Sequence, residues 1–315
     1  MDLADPLVYT SPDPVMADGA AYVDGAFCPI AEAKISVLDY GVTRSDCTYD
    51  VVGVWQGRFF RLDKHLDRFY ASCARLRLTP PLEREALAVV LHELVARTGL
   101  SDAYVSMTCT RGRPNPAARR DPRASTNTLY AYAIPYVWLA DADKRAAGLA
   151  MAIARNTERI SRRALDQRAK NYHWLDLDMA LMEALDGGAD TVVLKDPEGN
   201  IAEGPGFNVF AYRDGVWSTP ADNVLEGITR GTVIDLCAEL NVAVAAGAMS
   251  EDDLLGAEEV MITSTAGGII PVVSIDGRPV GDGRPGPHTA RLAALYWDKH
   301  GDPAWSEPVR GLAAR

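Results

Sequence analysis

Two hairpin signals near the start of the chain constrain its fold more than any other feature. An Asp-Gly pair lies within residues 22–27, and a Gln-Gly pair separates the apolar run 48–55 from residues 58–61. Glycine and a short polar neighbour favour the backbone conformation of a tight two-residue hairpin. The sequence therefore predicts antiparallel strands here, and the patterns of residues 103–111 and 128–136 predict two more.

Two segments between these strands have helical spacing. Asp63 is a candidate N-cap for a helix with apolar residues at positions 66, 69, 70, 73 and 76, which puts Arg68 near its first turns. A second helix is predicted to start at Thr79, with Pro80 at its first position, and to end at Gly99. The beginning of the chain is thus strand-rich with two helices between the strands, and we expect an α+β fold.

The chain becomes polar and alanine-rich around residues 138–148. Its 315 residues, of which 48% are hydrophobic, suffice for a sizeable core but are long for one simple layer. We therefore expect a small N-terminal subdomain at residues 1–138, a linker at 139–148 and a larger C-terminal subdomain at 149–315.

Charge and composition argue against several classes of protein. The net charge of -11 would repel nucleic acid, and prolines interrupt the arginine-rich segment 111–123. We see no export signal and no apolar run near the roughly 20 residues of a membrane span, so we expect a cytoplasmic protein without a membrane partner. Five cysteines without metal-type spacing predict reduced thiols and no metal site.

A lysine and a distant acid suggest the chemistry. Lys170 can form a Schiff base with an aldehyde cofactor, and Glu203, in a glycine-rich segment, can keep a pyridine nitrogen protonated. Anions bind at helix N-termini, so residues 227–229, with the Thr229 hydroxyl, are a candidate phosphate site; residues 264–268 are a second. Arg68 can pair with the same phosphate. The pattern points to pyridoxal 5'-phosphate.

Six ordered motifs carry a family resemblance: RSDCTYDV at 44–51, FFRLDKHLDR at 59–68, KNYHW at 170–174, EGPGFNV at 203–209, LEGITR at 225–230 and STAGG at 264–268. With these motifs, the chain from about residue 22 to 297 resembles the class IV (fold type IV) pyridoxal phosphate-dependent aminotransferases, and most closely the (R)-selective amine transaminases. The resemblance implies a homodimer and a C-terminal subdomain with a barrel-like β core flanked by helices.

The resemblance also implies roles for individual residues. Lys170 would be the catalytic lysine, and Glu203 would be the partner of the ring nitrogen. The phosphate would be bound by Arg68, Ile228, Thr229, Ser264 and Thr265, and Leu225 would pack on the ring. Substrate-binding positions would be Arg44, Tyr49, Val51, Trp174 and Ala266.

Relatives bind a substrate carboxylate with an arginine on a mobile loop, and Arg119 and Arg120 are the candidates in this chain. Two positions depart from some relatives. Arg44 stands where some amine transaminases have histidine, and Ser106 stands where some have an acidic residue. An arginine facing the pocket would favour carboxylate substrates, meaning D-amino acids, over simple amines.

The resemblance therefore implies transfer of an amino group between an (R)-amine or D-amino acid and a 2-oxo acid such as pyruvate, by a ping-pong mechanism through an internal aldimine on Lys170. Alternatives on the same fold are a D-amino acid or branched-chain amino acid aminotransferase and a lyase of the aminodeoxychorismate type. A non-catalytic protein that kept the fold is a further alternative, and it would form no pyridoxamine phosphate with any donor.

Overall fold

The computed structural model describes residues 12–118 and 121–312. In that part of the chain the strands are β1 Ala20–Val23, β2 Ala26–Pro29, β3 Cys47–Trp55, β4 Arg58–Phe60, β5 Ala103–Thr110, β6 Thr128–Pro135, β7 Leu149–Ile153, β8 Thr191–Val193, β9 Glu203–Gly204, β10 Phe207–Arg213, β11 Val216–Pro220, β12 Ala243–Gly247, β13 Glu259–Ser264, β14 Gly268–Ile275, β15 Arg278–Pro279 and β16 Ser306–Pro308. The α-helices are α1 Tyr40–Arg44, α2 Leu62–Arg75, α3 Arg84–Thr98, α4 Ala142–Ala147, α5 Leu175–Asp186, α6 Ile228–Glu239, α7 Glu251–Leu255 and α8 Pro287–Asp298. The α+β prediction is confirmed.

The chain divides into two compact units. The first holds the described residues up to Val137, the short segment Ala169–Tyr172 and the described residues from His300 onward. The second holds Trp138–Arg168 and His173–Lys299. This division differs from the predicted subdomains, which assigned residues 169–172 and 300–312 to the C-terminal part. The reason is hydrogen bonding, because β16 pairs with β4 and the segment 169–172 bonds to β3.

The first unit is built on an antiparallel sheet with strand order β16-β4-β3-β5-β6-β1-β2. Side chains alternate between its faces. One face packs on α2 and α3 through buried residues that include Val52, Val54, Val105, Met107 and Ala131. Helix α2 contributes Leu62, Leu66, Phe69 and Cys73, which recur at helical spacing along its buried side.

The two predicted hairpins are confirmed. Asp24 and Gly25 connect β1 to β2, and Gln56 and Gly57 connect β3 to β4, and all four residues have positive φ. The second hairpin matters for the site, because β4 is only three residues long and pairs with only the last two residues of β3. The first residues of β3 are therefore not paired with β4 on that edge, and another segment can hydrogen-bond to them.

Both predicted helix starts are wrong. Helix α2 begins at Leu62, with Arg61 at the N-cap in a left-handed conformation, so Asp63 lies inside the first turn. Helix α3 begins at Arg84 rather than after Thr79, while the predicted end at Gly99 is confirmed. Proline disfavours the helical conformation of the residue that precedes it, and here Pro80 is followed by Pro81. The helix therefore starts after the proline pair.

The second unit has a mixed sheet with strand order β12-β11-β10-β13-β14-β7-β8, to which β9 and β15 add short pairs. Strands β7, β8 and β14 run parallel, as do β11 and β12. A buried cluster that includes Ile153, Val209, Ile262 and Ile270 forms its core. The predicted linker at 139–148 contains α4. Across the part of the chain that the structure describes, no helix is both long and apolar enough to cross a membrane.

Candidate functional site

Lys170 lies on the edge of β3 that β4 leaves uncovered. Asn171 forms an antiparallel bridge with Thr48. The carbonyl oxygen of Lys170 accepts hydrogen bonds from Thr48 Oγ1 at 2.5 Å and from the Tyr49 amide at 3.1 Å. The Lys170 amide donates to Ser72 Oγ at 3.3 Å. The lysine backbone is thus fixed by a strand on one side and by helix α2 on the other.

The lysine amine lies on an aromatic surface. Lys170 Nζ is 4.5 Å from the centroid of the Tyr49 ring, and the ring of Tyr172 packs on Tyr49 with centroids 4.6 Å apart. The Tyr172 hydroxyl is 3.0 Å from Thr108 Oγ1 and 3.4 Å from the Tyr130 hydroxyl. An aromatic face attracts a cation, and the hydroxyl network holds the ring that supports it. The structure brings Lys170 and Tyr49 together and adds Tyr172.

Arg68 is held by a buried acid that the sequence analysis did not single out. Asp50 is fully buried on β3 and accepts from Arg68 Nε and from an Arg68 terminal nitrogen, both at 2.8 Å. His65 Nδ1 lies 2.8 Å from the same carboxylate. Burial by itself would raise the pKa of Asp50, but the Arg68 guanidinium and the His65 ring outweigh it, so the pKa is well below its usual range. Asp50 therefore stays ionised.

His65 completes this group. Burial lowers the pKa of His65 more than the Asp50 carboxylate raises it, which favours the neutral ring. In the tautomer with the proton on Nδ1, the ring donates to Asp50. Arg68, Ser72 and His65 all lie on α2, and Ser72 follows Arg68 by one helical turn. One signal in the sequence was available, because Asp50 shares the alternation of the buried residues Val52 and Val54.

Glu203 lies in the second unit, at the start of β9, with 5% of its surface exposed. Its Oε1 accepts from Arg159 Nε at 3.0 Å, and its Oε2 accepts from the Leu225 amide at 2.9 Å and from Asn208 Nδ2 at 3.4 Å. Arg159 also donates to Asp176 Oδ2 at 2.6 Å. Three kinds of donor therefore surround one buried carboxylate.

Arg159 is a second residue that the sequence analysis missed. Burial by itself would lower the pKa of Arg159, but the carboxylates of Glu203 and Asp176 outweigh this effect and raise it. The permanent positive charge favours the ionised form of Glu203. No spacing in the sequence links the two residues, because they lie 44 positions apart.

The N-terminus of α6 is the first anion site that the sequence predicts. Ile228 and Thr229 form its first turn, and Gly227 at the N-cap has no side chain to cover the backbone N–H groups there. A Cβ atom on Gly227 would collide with Asn208 Oδ1, so the glycine permits this close approach. Thr229 is 4% exposed and its side chain hydrogen-bonds with Tyr296.

The turn after β13 is the second predicted anion site. Ser264 Oγ donates to the Gly206 carbonyl oxygen at 2.8 Å and accepts from the Ala266 amide at 3.2 Å. Its hydroxyl therefore fixes the turn that presents Thr265 and Ala266. Trp174, at the N-cap of α5, comes within 3.4 Å of the position that a Cβ atom on Gly206 would occupy.

The arginines expected to bind a carboxylate are less well defined. Arg44 is exposed at the end of α1, and its guanidinium stacks on the ring of Tyr40 at 3.9 Å. Arg119 and Arg120 lie outside the described residues. The choice among these arginines stays a prediction.

The donor set fits pyridoxal phosphate. A fixed amine is present for its aldehyde, a buried carboxylate for its ring nitrogen, and an uncapped helix N-terminus for its phosphate. The residues predicted to hold it are Lys170, Arg68, Glu203, Leu225, Ile228, Thr229, Ser264 and Thr265. In residues 12–118 and 121–312, no group of histidines, cysteines and acids could hold a metal ion.

Comparison with known proteins gives a consistent set of relatives. The profile of the family described as amino-transferase class IV matches residues 48–275. A putative branched-chain-amino-acid aminotransferase of Methanocaldococcus jannaschii is 33% identical over 280 residues, which cover 88% of this chain and 95% of that protein. The D-alanine aminotransferase of Listeria innocua is 31% identical over 277 residues, which cover 83% of this chain and 89% of that protein.

Solved structures give the same result. A branched-chain amino acid aminotransferase solved with pyridoxamine 5'-phosphate has a TM-score of 0.86 and 30% identity, and the match covers 93% of this chain and 99% of that chain. The holo-form branched-chain aminotransferase of Thermobaculum terrenum, in its PLP-form, has a TM-score of 0.82 and 26% identity, with 92% and 98% covered.

Proposed function

The chain belongs to the class IV aminotransferases, and on that premise we propose that it transfers an amino group between an (R)-amine or a D-amino acid and a 2-oxo acid such as pyruvate. It is a pyridoxal phosphate-dependent enzyme of that family. The observation that carries the amino-transfer part is the Lys170 amine, which is held on the Tyr49 ring by a backbone with three hydrogen bonds.

Bound pyridoxal phosphate supplies an electron-withdrawing pyridinium ring that stabilises negative charge at the reacting carbon of the substrate. Lys170 Nζ would take the proton from that carbon and deliver it to the cofactor carbon C4′ in the first half-reaction, and it would move a proton in the opposite direction in the second. Glu203 would hold the proton on the ring nitrogen, and Arg159 donates a hydrogen bond to the same carboxylate. Arg68, the N-terminus of α6 and the turn at Ser264 and Thr265 bind the phosphate, while Leu225 packs on the ring.

The configuration of the donor rests on similarity. The D-alanine aminotransferases of Listeria support D-amino acids, and the motifs shared with (R)-selective amine transaminases support (R)-amines. Tyr49, Val51, Trp174 and Ala266 are the proposed lining of the substrate pocket. Arg44, Arg119 and Arg120 are the proposed partners of a substrate carboxylate.

A branched-chain L-amino acid is the second candidate donor. It is favoured by the relatives of Methanocaldococcus jannaschii and Pseudomonas aeruginosa, whose names specify branched-chain amino acids. The structural neighbour from Thermoproteus uzoniensis, a branched-chain aminotransferase with norvaline, supports the same candidate.

A donor panel separates the two candidates. Purified enzyme loaded with pyridoxal phosphate is given (R)-1-phenylethylamine, D-alanine or L-leucine, each with pyruvate or 2-oxoglutarate. Our proposal expects kcat/KM for (R)-1-phenylethylamine or D-alanine to exceed that for L-leucine by at least about tenfold, which corresponds to about 1.4 kcal/mol. The opposite order would establish the second candidate and contradict the first.

We also propose a cytoplasmic homodimer. The support for the dimer is a group of exposed apolar side chains around α1, namely Val37, Leu38 and Val42, whose exposed fractions are 77%, 61% and 59%. Light scattering coupled to gel filtration measures the mass directly. A monomer at micromolar concentration would contradict the dimer without affecting the donor assignment.

A further inference from the structure

The Ser106 side chain is buried without a partner. Ser106 is 1% exposed, and its hydroxyl has no hydrogen-bond partner among the described residues. Its neighbours along β5 differ in this respect. Thr108 Oγ1 bonds with the Tyr172 hydroxyl, and Thr110 Oγ1 donates to Asp39 Oδ2 at 2.9 Å. The unpaired hydroxyl is therefore a property of one position on the strand.

Ser106 lies on the face of the sheet opposite the helices. Val105, Met107 and Cys109 enter the core under α2 and α3, so the alternating residues Ser106 and Thr108 point to the other face. On that face, Ser106 stands between Val51 of β3 and Tyr132 of β6 in the strand register.

The neighbouring row on the same face includes Tyr49, which the Lys170 amine contacts. Tyr49, Thr108 and Tyr130 form that row, and the Lys170 amine lies over Tyr49. Two residues along a strand span about 7 Å, so this distance separates the row of Ser106 from the row of Tyr49, over whose ring the Lys170 amine lies.

An unpaired buried hydroxyl lowers stability, whereas alanine would fill the same position without a polar group. Such costs persist where they serve function. A ligand atom that bonds with the hydroxyl recovers the loss, and a site built to bond a substrate oxygen discriminates strongly against an analogue that lacks it.

We propose that Ser106 determines specificity by hydrogen-bonding an oxygen in the side chain of the amino donor. The inference rests on the proposed function, because it requires an amino acid donor to react at Lys170. Three bonds from the reacting carbon span about 4 Å, and a hydrogen bond adds about 3 Å, which together match the separation of the two rows. The favoured donor thus has a short linear side chain that ends in oxygen.

The test uses two donors of equal shape. Homoserine ends in a hydroxyl where norvaline ends in a methyl group, and both are offered in the D and L configurations with pyruvate. The wild-type enzyme should prefer homoserine to norvaline in kcat/KM by at least about tenfold in the configuration that it uses. The Ser106→Ala enzyme should lose about tenfold of this preference, entirely through homoserine, and keep norvaline turnover within about twofold.

A matched control removes a similar hydroxyl elsewhere. Ser125 Oγ also has no hydrogen-bond partner among the described residues, but Ser125 follows the short turn at Pro122–Ala124 and lies outside β5. The Ser125→Ala enzyme should keep the wild-type ratio of the two donors. In addition, the apo form of Ser106→Ala should have a Tm equal to or above that of the wild type, because the variant loses no hydrogen bond.

The possible outcomes test the role of Ser106 and the proposed amino acid donor separately. An unchanged ratio in Ser106→Ala, or an equal loss with both donors, would overturn the role of Ser106 while norvaline turnover still supports amino transfer. If the wild type turned over neither configuration of either donor, the proposed amino acid donor would fail, and the role of Ser106 would fail with it.

Discussion

Arg159 Nε donates to Glu203 Oε1 at 3.0 Å, and only 6% and 7% of the two side chains are exposed. Asp176, whose Oδ2 accepts from the same guanidinium at 2.6 Å, is the second acid of this group. One buried cation thus serves two carboxylates, one of which is proposed to contact the cofactor. Removing the cation would leave both acids without their charged partner in a site largely closed to water.

We predict that Arg159→Met lowers the free energy of unfolding of the apoenzyme by about 3–5 kcal/mol. The matched control is Arg155→Met. Arg155 also pairs with two acids, Glu251 and Asp276, but 47% of its side chain is exposed, so the expected change is about 0–1 kcal/mol. Urea unfolding measures both. Equal changes in the two variants would mean that the buried group has no special energetic role.

Glu203→Gln should leave the fold intact and disable the chemistry. Glutamine has the same shape, but it does not carry the charge that keeps a proton on the ring nitrogen. We expect kcat to fall by at least about a hundredfold, in the range typical for loss of a proton-controlling group. Steady-state kinetics with the best donor of the panel measure the effect. A kcat within about threefold of the wild type would remove Glu203 from the mechanism.

Asp50→Asn should weaken binding of the cofactor, because Arg68 loses the charged partner that orients its guanidinium. We expect the Kd for pyridoxal phosphate to rise about tenfold, which corresponds to about 1.4 kcal/mol. A titration of apoenzyme followed by absorbance measures this value.

The control for that experiment is Asp67→Asn on the same helix. Asp67 pairs with Arg84 at 3.0 Å, but its side chain is 58% exposed, so its neutralisation should leave the Kd unchanged. If Asp50→Asn bound the cofactor as tightly as Asp67→Asn, the carboxylate of Asp50 would not be a positioning group for Arg68.

We expect His92 to lower the free energy of unfolding of the protein in acid. Burial, together with the nearby charge of Arg310, lowers the pKa of His92 from 6.5 to about 4. Between these pH values the unfolded chain therefore binds more protons at His92 than the folded chain does. The contribution of the buried neutral ring to the free energy of unfolding is complete above pH 6.5 and is lost as the pH falls towards 4. The loss amounts to about 3 kcal/mol. In urea unfolding at a series of pH values, His92→Asn should flatten this slope, and an unchanged slope would contradict the assignment.

Local signals in the sequence predict the elements whose causes are local. Glycine turns at Gly25 and Gly57 and the helix end at Gly99 are correct, because each depends on a positive φ that glycine adopts easily. The helix starts at Asp63 and Thr79 are wrong. In one case Arg61 takes the cap position in a left-handed conformation, and in the other a proline pair delays the helix to Arg84.

Residues that act through distant partners could not be found in this way. Arg159 lies 44 positions from Glu203, and the carbonyl oxygen of Lys170 bonds to Thr48, which is 122 positions away. Only folding brings such groups together. The chemistry of single residues suggested Lys170, Glu203 and Arg68, and the resemblance to a family was needed to combine them in one site, which stays a prediction.

The most direct test of the central claim is to identify the lysine that binds the cofactor. The enzyme is loaded with pyridoxal phosphate and reduced with sodium borohydride, and the modified peptide is sequenced by mass spectrometry. Lys170→Ala is the control and should yield no modified peptide at this position and no turnover. The account predicts that Lys170 carries the reduced cofactor. Stoichiometric modification of another lysine, such as Lys195, or full activity in Lys170→Ala, would contradict it.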